Sequence, residues 1–184
     1  MFNHSGAALL DPSKVFEKIG LHSGMRVADL GCGRTGHFVM PAAKAVGDIG
    51  IVYALDIQKE ILEDLKSRAK SGGMSNIETV WADLENQKSV PIQSFTLDAC
   101  WLVSVMHQIK NQVAALFNAA SLVKPGGFLA IVDWIKKLGA LGPDASKLVS
   151  RDFVKENMLK QGFELIEDFS INDYQFCLIF KKRE

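Results

Sequence analysis

The apolar positions of this chain fall into short unbroken runs separated by stretches with helical spacing. "MRVADLG" (25–31), "GIVYALDI" (50–57), "NIETVWADL" (76–84), "SFTLDACWLVSV" (94–105) and "FLAIVDW" (128–134) read as strands. The fourth is almost wholly apolar, as expected of a strand covered on both faces. "DPSKVFEKIG" predicts a helix capped by Asp11, with Pro12 in its first position and Gly20 at its end. "HFVMPAAKAVG" predicts a second, with Pro41 near its first turn or kinking it. "QKEILEDLKSRAKSGG" directs Ile61, Leu62 and Leu65 inward, and "NQVAALFNAASLV" leads into the turn "KPGG". "SRDFVKENMLKQGF" is a last helix with Ser150 as its cap. "FELIEDFSI" and "YQFCLIFKK" then follow with about three residues between them, as in a hairpin.

Strand and helix thus alternate five times before two strands meet. The pattern predicts an α/β fold, a doubly wound Rossmann-like sheet with helices on both faces and one antiparallel strand added by the closing hairpin. Trp81 and Phe95 are expected in its core.

The candidate chemistry starts at "VADLGCGRTGHF" (27–38). Gly31, Gly33 and Gly36 have the spacing G-x-G-x-x-G after a strand, the mark of a loop that cradles a dinucleotide pyrophosphate. Asp29, two residues before Gly31, opposes that reading. A helix N-terminus favours anions, whereas a carboxylate beside it suits a ligand that carries both signs, such as an α-amino acid moiety. Asp56 ends the second strand, where a carboxylate accepts both hydroxyls of a ribose; it equally suits the N-cap of the next helix. Asp83 ends the third strand, placed either to meet an adenine edge or to cap a turn. Three acids at neighbouring strand ends would line one crevice, the usual ligand site of open α/β sheets.

Composition narrows the partners. The 184 residues, 48% hydrophobic and 23% charged, fit one domain with a sizeable core. Lys and Arg number 21, as do Asp and Glu, so no net field gathers nucleic acid or an anionic membrane. "MFNHSGAALL" lacks the charged and apolar regions of a signal peptide, and no run is long enough to span a bilayer. Cys32, Cys100 and Cys177 are too far apart for a zinc site and read as reduced thiols, which predicts a cytoplasmic protein.

"VADLGCGRTG", "VYALDI", "ADL", "LDACWLVSVMH" and "LVKPGGFLAIVDW", in that order, resemble the class I S-adenosylmethionine-dependent methyltransferases, from about residue 12 to the final strand. Within that family the chain looks most similar to small stand-alone enzymes that methylate quinones and other small molecules. The resemblance implies a seven-stranded sheet with its last strand inserted antiparallel. It implies that Asp29, Gly31, Cys32, Gly33 and Gly36 surround the methionine end of S-adenosylmethionine and that Asp56 takes the ribose. Asp83, flanked by Ala82 and Leu84, would meet the adenine, Ile57 would pack on its face, and Trp101 or Leu102 would floor the pocket. "KPGG" (124–127) would be the turn entering the fifth strand. One methyltransferase domain over 1–184 is implied: an N-terminal lid segment and helix (1–20), a cofactor core (21–135), and a C-terminal helix and hairpin (136–184).

His107 follows the fourth strand on the lip where an acceptor would sit, and Asp133 and Trp134 end the fifth strand facing the same mouth. His107 is expected either to take a proton from the nucleophile, with Asp133 orienting it or the substrate, or to cap the next helix. His4 and Phe2 could contribute to a lid, His37 lies at the start of a helix where it meets cofactor or solvent, and Arg151 and Tyr174 are candidates for the acceptor side. Asp98 is expected to make a structural hydrogen bond, and Cys32 to be a small buried thiol.

Absences narrow the acceptor. The Asn/Asp-Pro-Pro-Tyr run used on nucleobase amino groups is missing, and no glutamate occurs between Glu85 and Glu156. Only Asp133 stands where a metal-dependent catechol site needs several acids, so no metal is predicted. The expected reaction is in-line methyl transfer to an oxygen, nitrogen or sulfur of a small molecule, by a monomer or homodimer. Two alternatives stay open: a non-catalytic S-adenosylmethionine-binding partner subunit, and a nicotinamide-dependent oxidoreductase.

Overall fold

A computed structural model describes residues 10–184. The elements follow the order β1 (Arg26–Leu30), β2 (Ile51–Asp56), β3 (Ile77–Trp81), β4 (Leu97–Val103), β5 (Val123–Trp134), β6 (Phe163–Asn172) and β7 (Gln175–Lys182), with helices α1 (Pro12–Lys18), α2 (Val39–Val46), α3 (Lys59–Ser71), α4 (Gln112–Leu122) and α5 (Arg151–Lys160). The seven strands form one sheet in the order β3-β2-β1-β4-β5-β7-β6. Strands β1 to β5 pair in parallel, and β7 runs antiparallel to both of its neighbours. The doubly wound, mostly parallel sheet read from the sequence is the one observed, with the last strand inserted antiparallel.

Local signals explain the element ends. The Asp11 carboxylate accepts the backbone N–H of Ser13 at 3.0 Å, with Pro12 in the first turn of α1. Ser150 accepts the N–H of Phe153 at 3.4 Å at the start of α5. Pro41 lies in the first turn of α2, where its missing N–H has no intrahelical partner to lose.

The sheet is covered on both faces. Val15 and Phe16 of α1, Val39 and Val46 of α2, and Ile61, Leu62 and Leu65 of α3 pack with Val27, Ala54, Trp101 and Val132 on one side. Leu116 of α4 and Val154 and Met158 of α5 pack with Leu30, Leu102, Leu129 and Phe180 on the other. From Ala99 to Val103 every residue of β4 is buried, which accounts for its unbroken apolar run.

Two expectations are corrected. Trp81 is 45% exposed and Phe95 57% exposed, so neither is core. Trp81 lies on β3, an edge strand paired only with β2, and its indole N–H donates to the Ile57 carbonyl at 2.9 Å. Phe95 precedes β4 and stacks under the Lys182 ammonium, 4.3 Å from its ring centre. "KPGG" is a bulge within β5 rather than a turn before it: Leu97 faces Val123, and pairing resumes at Ala99 with Phe128. Asp98, opposite that bulge, accepts the backbone N–H of Arg26 at 2.7 Å and pairs with Lys124, the structural role expected of it.

Candidate active site

The parallel strands end at one pole of the sheet, and the loop after β1 crosses it. Gly31 has φ +90°, and a Cβ there would overlap the Val105 side chain, so the turn after β4 presses directly on the glycine loop. Gly36 has φ +56°, and its Cβ would run into Leu65 of α3. Close packing therefore accounts for Gly36. The N–H groups of Gly31 and Cys32 donate to the Leu55 carbonyl at 2.9 and 2.8 Å. Cys32 is a buried thiol, as expected, and burial pushes its pKa well above the ordinary value.

Asp56 is buried, and its carboxylate accepts the N–H of Gly33 at 3.1 Å and of Gln58 at 2.9 Å. It joins the glycine loop to the start of α3. Arg68 braces the same loop from α3, donating to the carbonyl of Thr35 at 2.9 Å and to that of Arg34, while Arg34 pairs with Asp64. Nothing in the sequence pointed to Arg68, because its partners lie more than thirty residues away (|i−j| 33 and 34).

Asp29 is buried, and burial pushes its carboxyl up to about 7; the Trp101 indole N–H works against that shift, and the Asp56 charge adds to it. Among the described residues no ion pair includes Asp29. A buried carboxyl without a counter-ion, next to a glycine loop, fits the ammonium of an amino-acid ligand, which would hold it ionised.

Around the crevice, Ile57 is 57% exposed and offers an apolar surface beyond Asp56. Ala82 is buried, and Leu84 lends its carbonyl to the Asn118 amide at 2.8 Å. The Asp83 carboxylate accepts the N–H of Glu85 at 2.9 Å, and the Ser89 hydroxyl bridges Asp83's backbone, which makes Asp83 a turn-former as well as a strand-end acid. Trp101 and Leu102 are both fully buried and belong to opposite faces of the sheet, so they cannot share one floor. Trp101 is the one beside Asp29, its partner in the β1–β4 register.

His107 sits in the 3-10 turn Met106–Gln108. Its ring Nδ1 lies 2.9 Å from Asp133 Oδ1, and its backbone N–H donates to Asp133 Oδ2 at 3.3 Å. The N–H of Trp134 also donates to Asp133 Oδ1, at 2.8 Å. Asp133 is fully buried on β5 and acts as acceptor to all three. In the neutral ring Nδ1 therefore carries the proton and Nε2 keeps its lone pair, in a side chain still 12% exposed. The helix-capping alternative for His107 is not what occurs: α4 is capped by Asn111, which accepts the N–H of Ala114 at 3.1 Å.

The turn carrying His107 is held from several sides. Ser104 has φ +56° and is fully buried. Its N–H donates to the Val132 carbonyl at 2.8 Å, its hydroxyl accepts the Gln175 amide at 3.1 Å, and its carbonyl accepts the Gln108 amide at 2.9 Å. A non-glycine residue held left-handed costs about 1–3 kcal/mol and persists only when its surroundings over-determine it. Ser104, Val105 and Gln175 escaped the sequence reading.

Arg151 is occupied by Asp168 at 2.7 Å and Ser170 at 2.9 Å, and Tyr174 carries the Lys136 ammonium 5.2 Å from its ring centre. A ring nitrogen of His37 lies 2.6 Å from the Leu10 carbonyl. His4 and Phe2 lie outside the described residues. Among the described residues no three His, Cys, Asp or Glu side chains gather as a metal site, and no helix is long and apolar enough to cross a membrane.

Comparison with known proteins identifies the family of this chain. The methyltransferase domain family matches residues 21–174. Aklanonic acid methyltransferase of Streptomyces sp. (strain C5) is 32% identical over 130 residues, 69% of this chain and 57% of that protein. The ubiquinone/menaquinone biosynthesis C-methyltransferase of Coxiella burnetii (strain Dugway 5J108-111) is 30% identical over 145 residues, 72% of this chain and 56% of its own length. The chain spans about half the length of the curated relatives it matches. A solved S-adenosylmethionine-dependent methyltransferase from Aquifex aeolicus superposes with a TM-score of 0.83 at 27% identity, covering 97% of this chain and 93% of that one. The chain belongs to the class I S-adenosylmethionine-dependent methyltransferases, whose cofactor is S-adenosylmethionine.

Proposed function

We propose that this chain transfers a methyl group from S-adenosylmethionine to a small molecule whose attacking atom carries a proton that His107 removes. The observation that carries the reading is the His107–Asp133 pair, with Nδ1 2.9 Å from the carboxylate and the ring on the turn whose Val105 packs against Gly31. A partly exposed base, oriented through one ring nitrogen by a buried carboxylate with the other nitrogen left free, is the arrangement that general-base catalysis needs.

Bound S-adenosylmethionine supplies an electrophilic methyl on a sulfonium. The chain's part is to bind, orient and deprotonate. Asp29 and the glycine loop receive the amino-acid end, the Asp56 carboxylate receives the ribose hydroxyls, and Ile57 covers the adenine face. Asp133 holds the His107 ring in the tautomer that leaves Nε2 free, and the Ser104 turn fixes where that nitrogen stands. Holding reactants in line is the main source of rate in such a displacement.

Carbon joins oxygen, nitrogen and sulfur as a candidate nucleophile, because one relative is named a C-methyltransferase and others act on demethylmenaquinone or aklanonic acid. A quinol-like or β-dicarbonyl carbon acid has a proton within reach of a neutral imidazole, which favours this class.

The test is calorimetric titration with S-adenosylhomocysteine and with NADH, followed by an acceptor screen with the wild type and His107→Gln. Binding of S-adenosylhomocysteine alone, with turnover that His107→Gln lowers, is expected. Tight binding without turnover on hydroxylated quinols, phenols, thiols or amines would instead favour a non-catalytic partner subunit.

A further inference from the structure

The Trp101 indole N–H is buried and makes no well-formed hydrogen bond, the single buried side-chain nitrogen or oxygen in that state among the described residues, although it lies close enough to the Asp29 carboxyl to favour the ionised form. Buried donors are nearly always paired, and an unpaired one costs about 1–3 kcal/mol, so its persistence calls for a reason. Trp101 cannot turn to find a partner. Phe16 packs on its ring at 5.4 Å and Phe38 at 6.3 Å, between the sheet and the first two helices. Across the sheet its register partner is Asp29, and cross-strand partners on one face stand side by side.

We infer that Trp101 is a positioning residue for the cofactor's amino-acid end, its indole N–H fixed by packing so that it bonds the Asp29 carboxylate once that carboxylate is ionised. The inference rests on the cofactor reading above. In the free protein Asp29 sits among groups that resist ionisation: the Asp56 carboxylate on β2 and the apolar wall of the core, with Cys32 beside it in the loop. A cation that acts on this cluster, Arg68, acts on Cys32. A ligand ammonium would ionise Asp29, and the waiting indole N–H would then gain its missing acceptor. Part of the cost of carrying an orphan donor in the free state is returned on binding, and the carboxylate oxygen left for the ammonium is held in one direction.

The experiment follows the indole signals of isotope-labelled protein by NMR, with the Trp101 signal identified by its loss in Trp101→Phe. The Trp101 indole proton should move downfield as the pH rises through about 7, and also when S-adenosylhomocysteine saturates the protein below that pH. Both movements should vanish in Asp29→Asn. A Trp101 signal indifferent to pH and to ligand overturns the inference and leaves cofactor binding standing. Failure of the wild type to bind S-adenosylhomocysteine overturns both. Calorimetry adds a second reading: Trp101→Phe should weaken binding about tenfold at neutral pH and raise the pH midpoint of affinity by about one unit. A loss of affinity equal at every pH would mean that Trp101 acts by packing alone, and would sink the proposal.

Discussion

The carboxylate of Asp56 is bonded to the backbone N–H of Gly33 at 3.1 Å, across the gap between the second strand and the glycine loop. The residue proposed to take the ribose therefore also holds the loop proposed to take the methionine end. Asp56→Ala should weaken S-adenosylhomocysteine binding about a hundredfold, since hydrogen bonds to a charged group are worth about 1.5–3 kcal/mol each. Because the residue is buried and accepts two backbone N–H groups, thermal unfolding should show a loss of stability as well. Unchanged affinity would remove Asp56 from the site.

The contact of Gly31 with Val105 separates two costs. Gly31→Ala meets both a left-handed backbone and the Val105 side chain and should lose about 1–3 kcal/mol in denaturant unfolding. Adding Val105→Ala should recover the steric part and leave the backbone part. Strict additivity of the two substitutions would show that the loop and the turn after β4 do not press on each other.

His107→Gln should lower turnover about 10²–10⁴-fold, with affinity for S-adenosylhomocysteine unchanged. Asp133→Asn should lower it at least as far, because an amide nitrogen facing Nδ1 reverses the ring tautomer. Asp133→Asn should also cost stability, since Asp133 is fully buried and accepts three N–H groups. Turnover kept by His107→Gln would end the general-base assignment.

Asp29 gives the folded protein a definite response to pH. Its carboxyl is raised by burial from 3.8 to about 7, so the folded state holds a proton that the unfolded chain gives up. The stabilisation is complete below the unfolded value and is lost as the pH rises through about 7. Relative to Asp29→Asn, the wild type should lose at most about 1.4 kcal/mol per pH unit within that window. Urea unfolding of both proteins across the window measures it. A saturating ligand that brings an ammonium should flatten the difference.

Much of the architecture is legible in the sequence because it is written locally. The apolar runs, the Asp11 and Ser150 caps and the glycine spacing each fall within a dozen residues, and the strand alternation leaves few topologies open. What was missed depends on distance along the chain. Trp81 reads as apolar in any window, and only the pairing of β3 with a single neighbour reveals that it is at an edge. Val105 against Gly31, Gln175 on Ser104 and Arg68 on the loop carbonyls join residues far apart, by contacts that leave no local pattern. His107 and Asp133 were legible as strand-end residues, with Asp133 orienting either the ring or the substrate; the hydrogen bond at 2.9 Å shows that it holds the ring.

The direction of β7 has a practical side. Gln175 at its start pairs with Trp134 and reaches Ser104 at the pole where the parallel strands end, while Lys182 near its end pairs with Phe163 and caps the Ala120 and Val123 carbonyls where β5 begins. Eight residues of strand carry the chain about 25 Å from one pole to the other. An affinity tag, a dye or a tether attached beyond Lys182 departs on the side of the sheet away from the candidate crevice.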